Sequence, residues 1–200
     1  MEKPAETQYR IHELLRRRWS PRAFSDQPVS QEHLCSMLEA ARWAPSSNNE
    51  QPWHFLVATK HNQTDYDRLL SCLKATNQLW ARLAPVLMMS VAKLVFEGGE
   101  SNRHAFHDVG LAVENLVVQA TALGLMVHQM AGIYPDQVRE LYGIPAEYGI
   151  VAAIAVGHPG NPETLPERFR ERELAKRSRK PIAEFTFAEH WGRPSPIVTE

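Results

Sequence analysis

A chain of 200 residues can bury a substantial core, and this one sets 22 lysines and arginines against 23 acids for a formal charge of -1. That balance supplies no global field for nucleic acid or an anionic membrane surface, so neither is expected as a partner. Two cysteines, Cys35 and Cys72, lie in no metal or redox spacing and argue against a disulfide scaffold, a zinc ribbon or a thioredoxin-type centre.

The N-terminal MEKPAETQYR is charged and has no apolar h-region, and no run reaches the length of a membrane span, so a cytoplasmic protein is expected. Between residues 7 and 18, Tyr9, Ile11, Leu14 and Leu15 recur at helical period, with Arg16, Arg17 and Arg18 at the C-terminal end and Pro21 preventing much continuation. A second helix is predicted from Leu34, Met37, Leu38 and Ala41, N-capped by Ser30 and stopped near Pro45. Residues 53–60, 85–93, 125–131 and 148–157 are short apolar runs rich in β-branched and aromatic residues, and read as strands. Helical patterns separate them. The longest runs from about residue 102 to 123 and is apolar nearly all round after Val109, the mark of a helix buried centrally or at a subunit interface. Beyond Gly157 proline and charge dominate with little periodicity, so residues 158–200 read as an extended segment lying over the surface of a single domain.

Four stretches carry more polar chemistry than a core needs: Arg18-Trp19-Ser20-Pro21-Arg22, the loop Pro45 to Pro52, Asn77-Gln78, and Arg177-Ser178-Arg179-Lys180. Each also has a plain structural use, since arginine runs solvate surfaces, Pro-Ser-Ser is common in turns and caps, and Asn77 can cap the short helix ending before Pro85. In combination, two Arg/Ser clusters from opposite ends of the chain can converge on one phosphate, which guanidinium forks bind in a bidentate way. No G-x-G-x-x-G or Walker pattern is present, so a dinucleotide or P-loop fold has no support. His104, His107 and Asp108 fall on one helical face and give a second reading, a metal site for hydrolysis, although H-x-x-H-D brings no further fixed ligand.

Taken together, RRRWSPRAF, APSSNNEQPWHF, NQLWARLAPVLMMS, HDVGLAVENLVVQATALGL, HQMAG and RSRKP, in that order along nearly the whole chain, resemble the nitroreductase family of FMN-dependent oxidoreductases. The resemblance implies an α+β fold with a central mixed sheet flanked by helices, an intertwined homodimer, and two FMN sites at the subunit interface. It implies that Arg18 and Ser20, with the intervening Trp19, and Arg177 and Arg179 surround the FMN phosphate. Arg22 would approach the N1/C2-carbonyl side of the ring, where a fixed cation stabilises the charge that develops on reduction. Asn77 would bond the pyrimidine edge, and the backbone around Gln129, Ala131 and Gly132 would line the ring face and N5 side. Pro45, Ser46, Ser47 and Asn49 would come from the other subunit.

Two departures accompany the likeness. Trp80 stands where some family members carry a lysine, leaving Arg22 as the ring's cation, and Ala131 stands where some carry an acid. The short segment between Lys93 and Asn102 implies little lid over the site. The implied activity is ping-pong transfer of hydride from NADH or NADPH to an electron-poor small molecule such as a nitroaromatic or quinone. The flavin carries the chemistry and no protein acid or base is assigned; His54 and His128 read as structural. A non-catalytic flavin-binding or storage protein would use the same residues.

Overall fold

A computed structural model describes residues 2–198. Its centre is a four-stranded sheet in the order β1-β2-β4-β3, formed by β1 (Trp53–Thr59), β2 (Val86–Lys93), β3 (Met126–Met130) and β4 (Tyr148–Gly157). All four strands lie where the sequence predicts them. Every pairing is antiparallel, with Leu56 opposite Met89, Met88 opposite Ile154 and Gln129 opposite Ile154. The mixed sheet implied by the resemblance is therefore not formed among the described residues of one chain.

Helices cover both faces, which explains why β2 reads as an uninterrupted apolar run with all but Lys93 buried. On one face Leu87, Met89, Val91, Ala153 and Ala155 pack with residues of α3 (Gln63–Ser71), α4 (Ala75–Ala81) and α6 (Pro135–Tyr142). Leu165 and Phe169 join that layer; Phe169 belongs to α7 (Glu167–Leu174). On the other face Val86, Met88, Ala92, Ile154 and Val156 pack with α2 (Gln31–Arg42) and α5 (Ala105–Ala122). The two layers alternate residue by residue along β2, as the strand period of two requires. Cys35 is exposed on α2, and Cys72 is buried just after α3.

The second predicted helix is present, and Ser30 Oγ accepts from the His33 amide at its start. It lies on α5, where Asn115 donates to the Ala40 carbonyl (3.2 Å) and Gln119 to Ser36 Oγ (3.0 Å). The long helix is shorter than its apolar pattern and not uniformly buried. Val109, Ala112, Val113, Leu116, Val117 and Ala120 are buried, whereas Phe106 is half exposed and Gly110 and Glu114 face outward.

Three expectations are corrected. The helix over 7–18 is only α1 (Glu13–Arg17), capped by His12, because Tyr9 and Ile11 are exposed and no apolar surface repays ordering the earlier turns. Residues before it form a strap, with the Ala5 amide donating to the Arg16 carbonyl. Asn77 is not a cap but the third residue of α4, whose N-cap is Lys74. The segment after Gly157 contains α7, which buries Phe169 and Glu173, although its other residues are too charged to show a stripe in sequence.

Tyr66, on α3, ties the connection between α4 and β2: its hydroxyl donates to the carbonyls of Ala84 (2.6 Å) and Ala81 (3.2 Å), and burial pushes its pKa upward. Replacing Tyr66 by Phe leaves buried carbonyls with one donor fewer. A loss of about 1–2 kcal/mol is expected in chemical denaturation, with the fold retained.

Candidate functional site

The chain reaches the first arginine cluster, Arg18-Trp19-Ser20-Pro21-Arg22, at the C-cap of α1, where the Arg18 amide makes the helix's last bond to the Leu14 carbonyl. It reaches the second directly after α7. The two meet. Arg18, Trp19, Ser20, Arg22, Arg177 and Arg179 line one cavity of about 240 Å³. Sequence reasoning missed three further cations on its wall, Lys3, Arg172 and Lys176.

Crowded like charges perturb one another here. Burial first, then the charges of Arg18 and Arg179, pull the pKa of Arg177 below its ordinary value. Among the described residues none of Arg18, Arg22, Arg177 and Arg179 belongs to a salt bridge, whereas Lys176 pairs with Glu6 at 2.8 Å. Arg18 Nη1 donates to Ser20 Oγ at 3.3 Å, which places a hydroxyl among the guanidinium groups. Such a donor set suits a phosphate monoester, with planar forks and a hydroxyl around one anion.

The cradle is held rigid by hydrogen bonds of long sequence separation. Arg177 Nη1 donates to the carbonyls of Lys3 (2.5 Å) and Arg16 (3.1 Å), and Lys3 Nζ donates to those of Glu173 (2.7 Å) and Ala175. Lys3 also sits 4.9 Å from the Trp19 ring centroid. The Glu173 side chain, 1% exposed, is the anchor: its carboxylate accepts from the Arg22 amide (2.9 Å to each oxygen) and the Ala23 amide (3.0 Å). Nothing in the stretch ERFREREL distinguishes Glu173 from its neighbours except the helical spacing from Phe169.

Beside the cradle, Arg22 lies over Trp80 of α4, 5.7 Å from its centroid, and the Trp80 ring packs against His128 of β3 at 4.4 Å. Trp80 is 1% exposed, so at this position the chain has a core platform beneath Arg22. Asn77, one turn before Trp80, donates through Nδ2 to the Gly132 carbonyl at 3.1 Å. A Cβ at Gly132 would fall 2.4 Å from Asn77 Nδ2, so a larger residue there would push the Asn77 amide out of this position. Gln129 and Ala131, at and just after the end of β3, are exposed. Arg22, Asn77 and Gly132 are thus grouped around Trp80 and His128, on the α3/α4/α6 side of the sheet, whereas Gln129, opposite Ile154, falls on the alternate side of β3 from His128.

The loop Pro45 to Pro52 hangs from the opposite layer. Its Ser47 amide donates to Asp108 Oδ2 of α5 (3.0 Å), Ser46 Oγ accepts from the Gln51 amide (3.0 Å), and the Asn49 carbonyl accepts from Gln51 Nε2 (3.0 Å). Asn48, Asn49 and Gln51 take φ of 52°, 57° and 50°. Asparagine adopts this left-handed region more readily than most residues, which accounts for the Asn-Asn pair. Pro45 and Asn49 are exposed, and Ser46 and Ser47 are half-buried. The loop residues do not line the arginine cavity of their own chain.

The metal reading is overturned by the same geometry. Asp108 is engaged by Ser47 and by His107 Nδ1 (3.1 Å), while His104 Nε2 accepts from Arg103. Among the described residues no three His, Cys, Asp or Glu side chains are grouped to hold a metal ion. His54 and His128 are structural, as expected: each bonds a backbone carbonyl through Nδ1, Pro52 at 3.1 Å and Pro21 at 2.8 Å respectively. Residues 95–101 form only a tight turn closed by the Val95–Ser101 bridge, in keeping with little lid. No helix among the described residues is long and apolar enough to cross a membrane.

The fold is thus a helix-covered antiparallel sheet of α+β class, with one cavity lined by arginines. The model of the nitroreductase family matches residues 15–77 and 71–158. A solved structure described as an oxidoreductase containing FMN superimposes with a TM-score of 0.87 at 34% identity, over 94% of this chain and 96% of that one. An Archaeoglobus fulgidus protein provisionally named NADH dehydrogenase/NAD(P)H nitroreductase is 30% identical over 151 residues, 71% of this chain and 81% of its own. The FMN reductase [NAD(P)H] of Bacillus subtilis is 28% identical over 174 residues, 78% of this chain and 68% of its own. The chain belongs to the nitroreductase family.

His128 supplies a pH test of the ring-side platform. Burial above all, aided by the charge of Arg22 and opposed by the bond to Pro21, pulls its pKa down to about 4 from an ordinary value of 6.5. The unfolded chain therefore takes up this proton first. Stability from a neutral His128 is complete above pH 6.5 and is lost as pH falls towards 4, by about 3 kcal/mol in all. Denaturant midpoints should decline across that window, and His128→Asn, whose amide still reaches the Pro21 carbonyl, should flatten the decline.

Proposed function

We propose that the protein is a homodimeric FMN-dependent oxidoreductase that takes reducing equivalents from NADH or NADPH and passes them, ping-pong, to an electron-poor acceptor such as a nitroaromatic or quinone. The observation that carries this reading is the convergence of Arg18, Arg177 and Arg179, free of salt bridges, on one cavity in a chain of the nitroreductase family. FMN, when bound, supplies the two-electron redox chemistry.

The residues supply binding, orientation and charge. Arg18, Ser20, Arg177 and Arg179 hold the phosphate, with the Trp19 indole as an apolar wall. Arg22, supported on Trp80, presents a fixed positive charge to the ring. Asn77 has its Nδ2 engaged by Gly132, so its Oδ1 is the atom left to accept from the pyrimidine edge. Gln129, Ala131 and Gly132 border the ring face.

The loop residues Pro45, Ser46, Ser47 and Asn49 complete the site from a second copy of the chain. Support comes from their place on the α2/α5 layer, across the sheet from Arg22, Asn77 and Gly132. The outward Phe106, Gly110 and Glu114 of α5 belong to the same subunit contact.

The purified protein should be yellow, should sediment at twice the chain mass, and should oxidise NADH or NADPH when a nitroarene or quinone is supplied. Arg18→Ala or Arg179→Ala should weaken FMN binding roughly 10- to 100-fold, the cost of one charge-assisted hydrogen bond. Fluorescence titration with FMN measures this. A wild-type protein that binds no FMN ends the reading, and one that binds FMN without turnover is a flavin-storage protein instead.

A further inference from the structure

Among the described residues Glu173 is the one acidic side chain buried at the arginine cradle, and neither the family motifs nor the sequence pattern singled it out. It is 1% exposed, and its two oxygens take the amides of Arg22 and Ala23 at 2.9–3.0 Å across 150 residues of chain. Its negative charge also acts on the cations themselves: it favours the charged forms of Arg22 and Lys3, opposing the burial that disfavours them. A buried carboxylate with these contacts does two things at once. It fixes the backbone from which the Arg22 side chain starts, and it offsets part of the field that side chain exerts.

We propose that Glu173 is a positioning residue for Arg22 and its counter-charge, so that the C-terminal segment tunes the reduction potential of the bound flavin without touching it. The proposal rests on the FMN reading above. Bare Arg22 would favour reduced flavin strongly, because a nearby cation stabilises the negative charge reduction creates. Glu173 holds that effect below its full strength.

The test is the midpoint potential of the FMN-loaded protein, with thermal denaturation as a check on folding. Glu173→Gln keeps Oε1, the oxygen that accepts from both amides, while removing the charge. Its potential should rise, with the ratio of reduced to oxidised flavin at a fixed poise several-fold above wild type. Glu173→Asp keeps the charge but draws the oxygens back from the amides, so it should melt earlier and, as Arg22 loosens, its potential should fall below that of wild type.

A role confined to holding the backbone predicts Glu173→Gln unchanged or lower in potential. Either result overturns the proposal. If Glu173→Gln does not fold, Glu173→Asp alone decides, because a potential unchanged from wild type there removes the positioning role and with it the proposal. A wild-type chain that holds no FMN defeats the underlying reading; an FMN-loaded wild type with no rise in Glu173→Gln defeats this inference alone.

Discussion

A carboxylate buried to 1% exposure among backbone amides is costly unless every lone pair has work to do, and Glu173 meets that demand with three short contacts to Arg22 and Ala23. The constraint propagates outward. Once α7 is pinned to residues 22 and 23, its last carbonyls face the N-terminal strap, and Lys3 caps them. Arg177, just beyond, then reaches the carbonyls of Lys3 and Arg16. The carbonyl-rich C-terminal ends of two short helices, α1 and α7, thus meet the same group of cations, which they favour electrostatically. The result is a positively charged cavity built by the two ends of the chain.

A second buried carboxylate does the corresponding job on the other side of the sheet. Asp108, in the first turn of α5, receives the Ser47 amide and so fixes the strained turn in which Asn48, Asn49 and Gln51 have positive φ. Asp108 and Glu173 lie in different layers. Each holds the backbone of one set of polar residues, while the antiparallel sheet, filled on both faces, keeps the sets apart.

Much of this was legible in the residues. Apolar runs with β-branched and aromatic character marked all four strands, because a strand covered on both faces has no polar side to confuse the pattern. Ser30 marked the start of α2 because the cap is a local hydrogen bond. The helix over residues 7–18 was overextended for the opposite reason: periodicity records which residues could share a face, not whether anything covers it, and Tyr9 and Ile11 are exposed. The H-x-x-H-D spacing misled likewise, since it gave three potential ligands on one face without revealing that Asp108 is engaged by the Ser47 amide.

By itself the sequence determined the four strands and α2, the absence of a phosphate-binding glycine loop, and the clusters of arginine and serine that a phosphate would need. These are local properties, written in neighbours a few positions apart. Only the tertiary structure decided that Arg18 and Arg177 line one cavity, that Trp80 is the platform beneath Arg22, and that a single glutamate among the charges of α7 secures them. Such facts depend on contacts between distant parts of the chain, such as the 161 residues that separate Arg16 from Arg177, and no local pattern encodes which acid of a charged helix will turn inward.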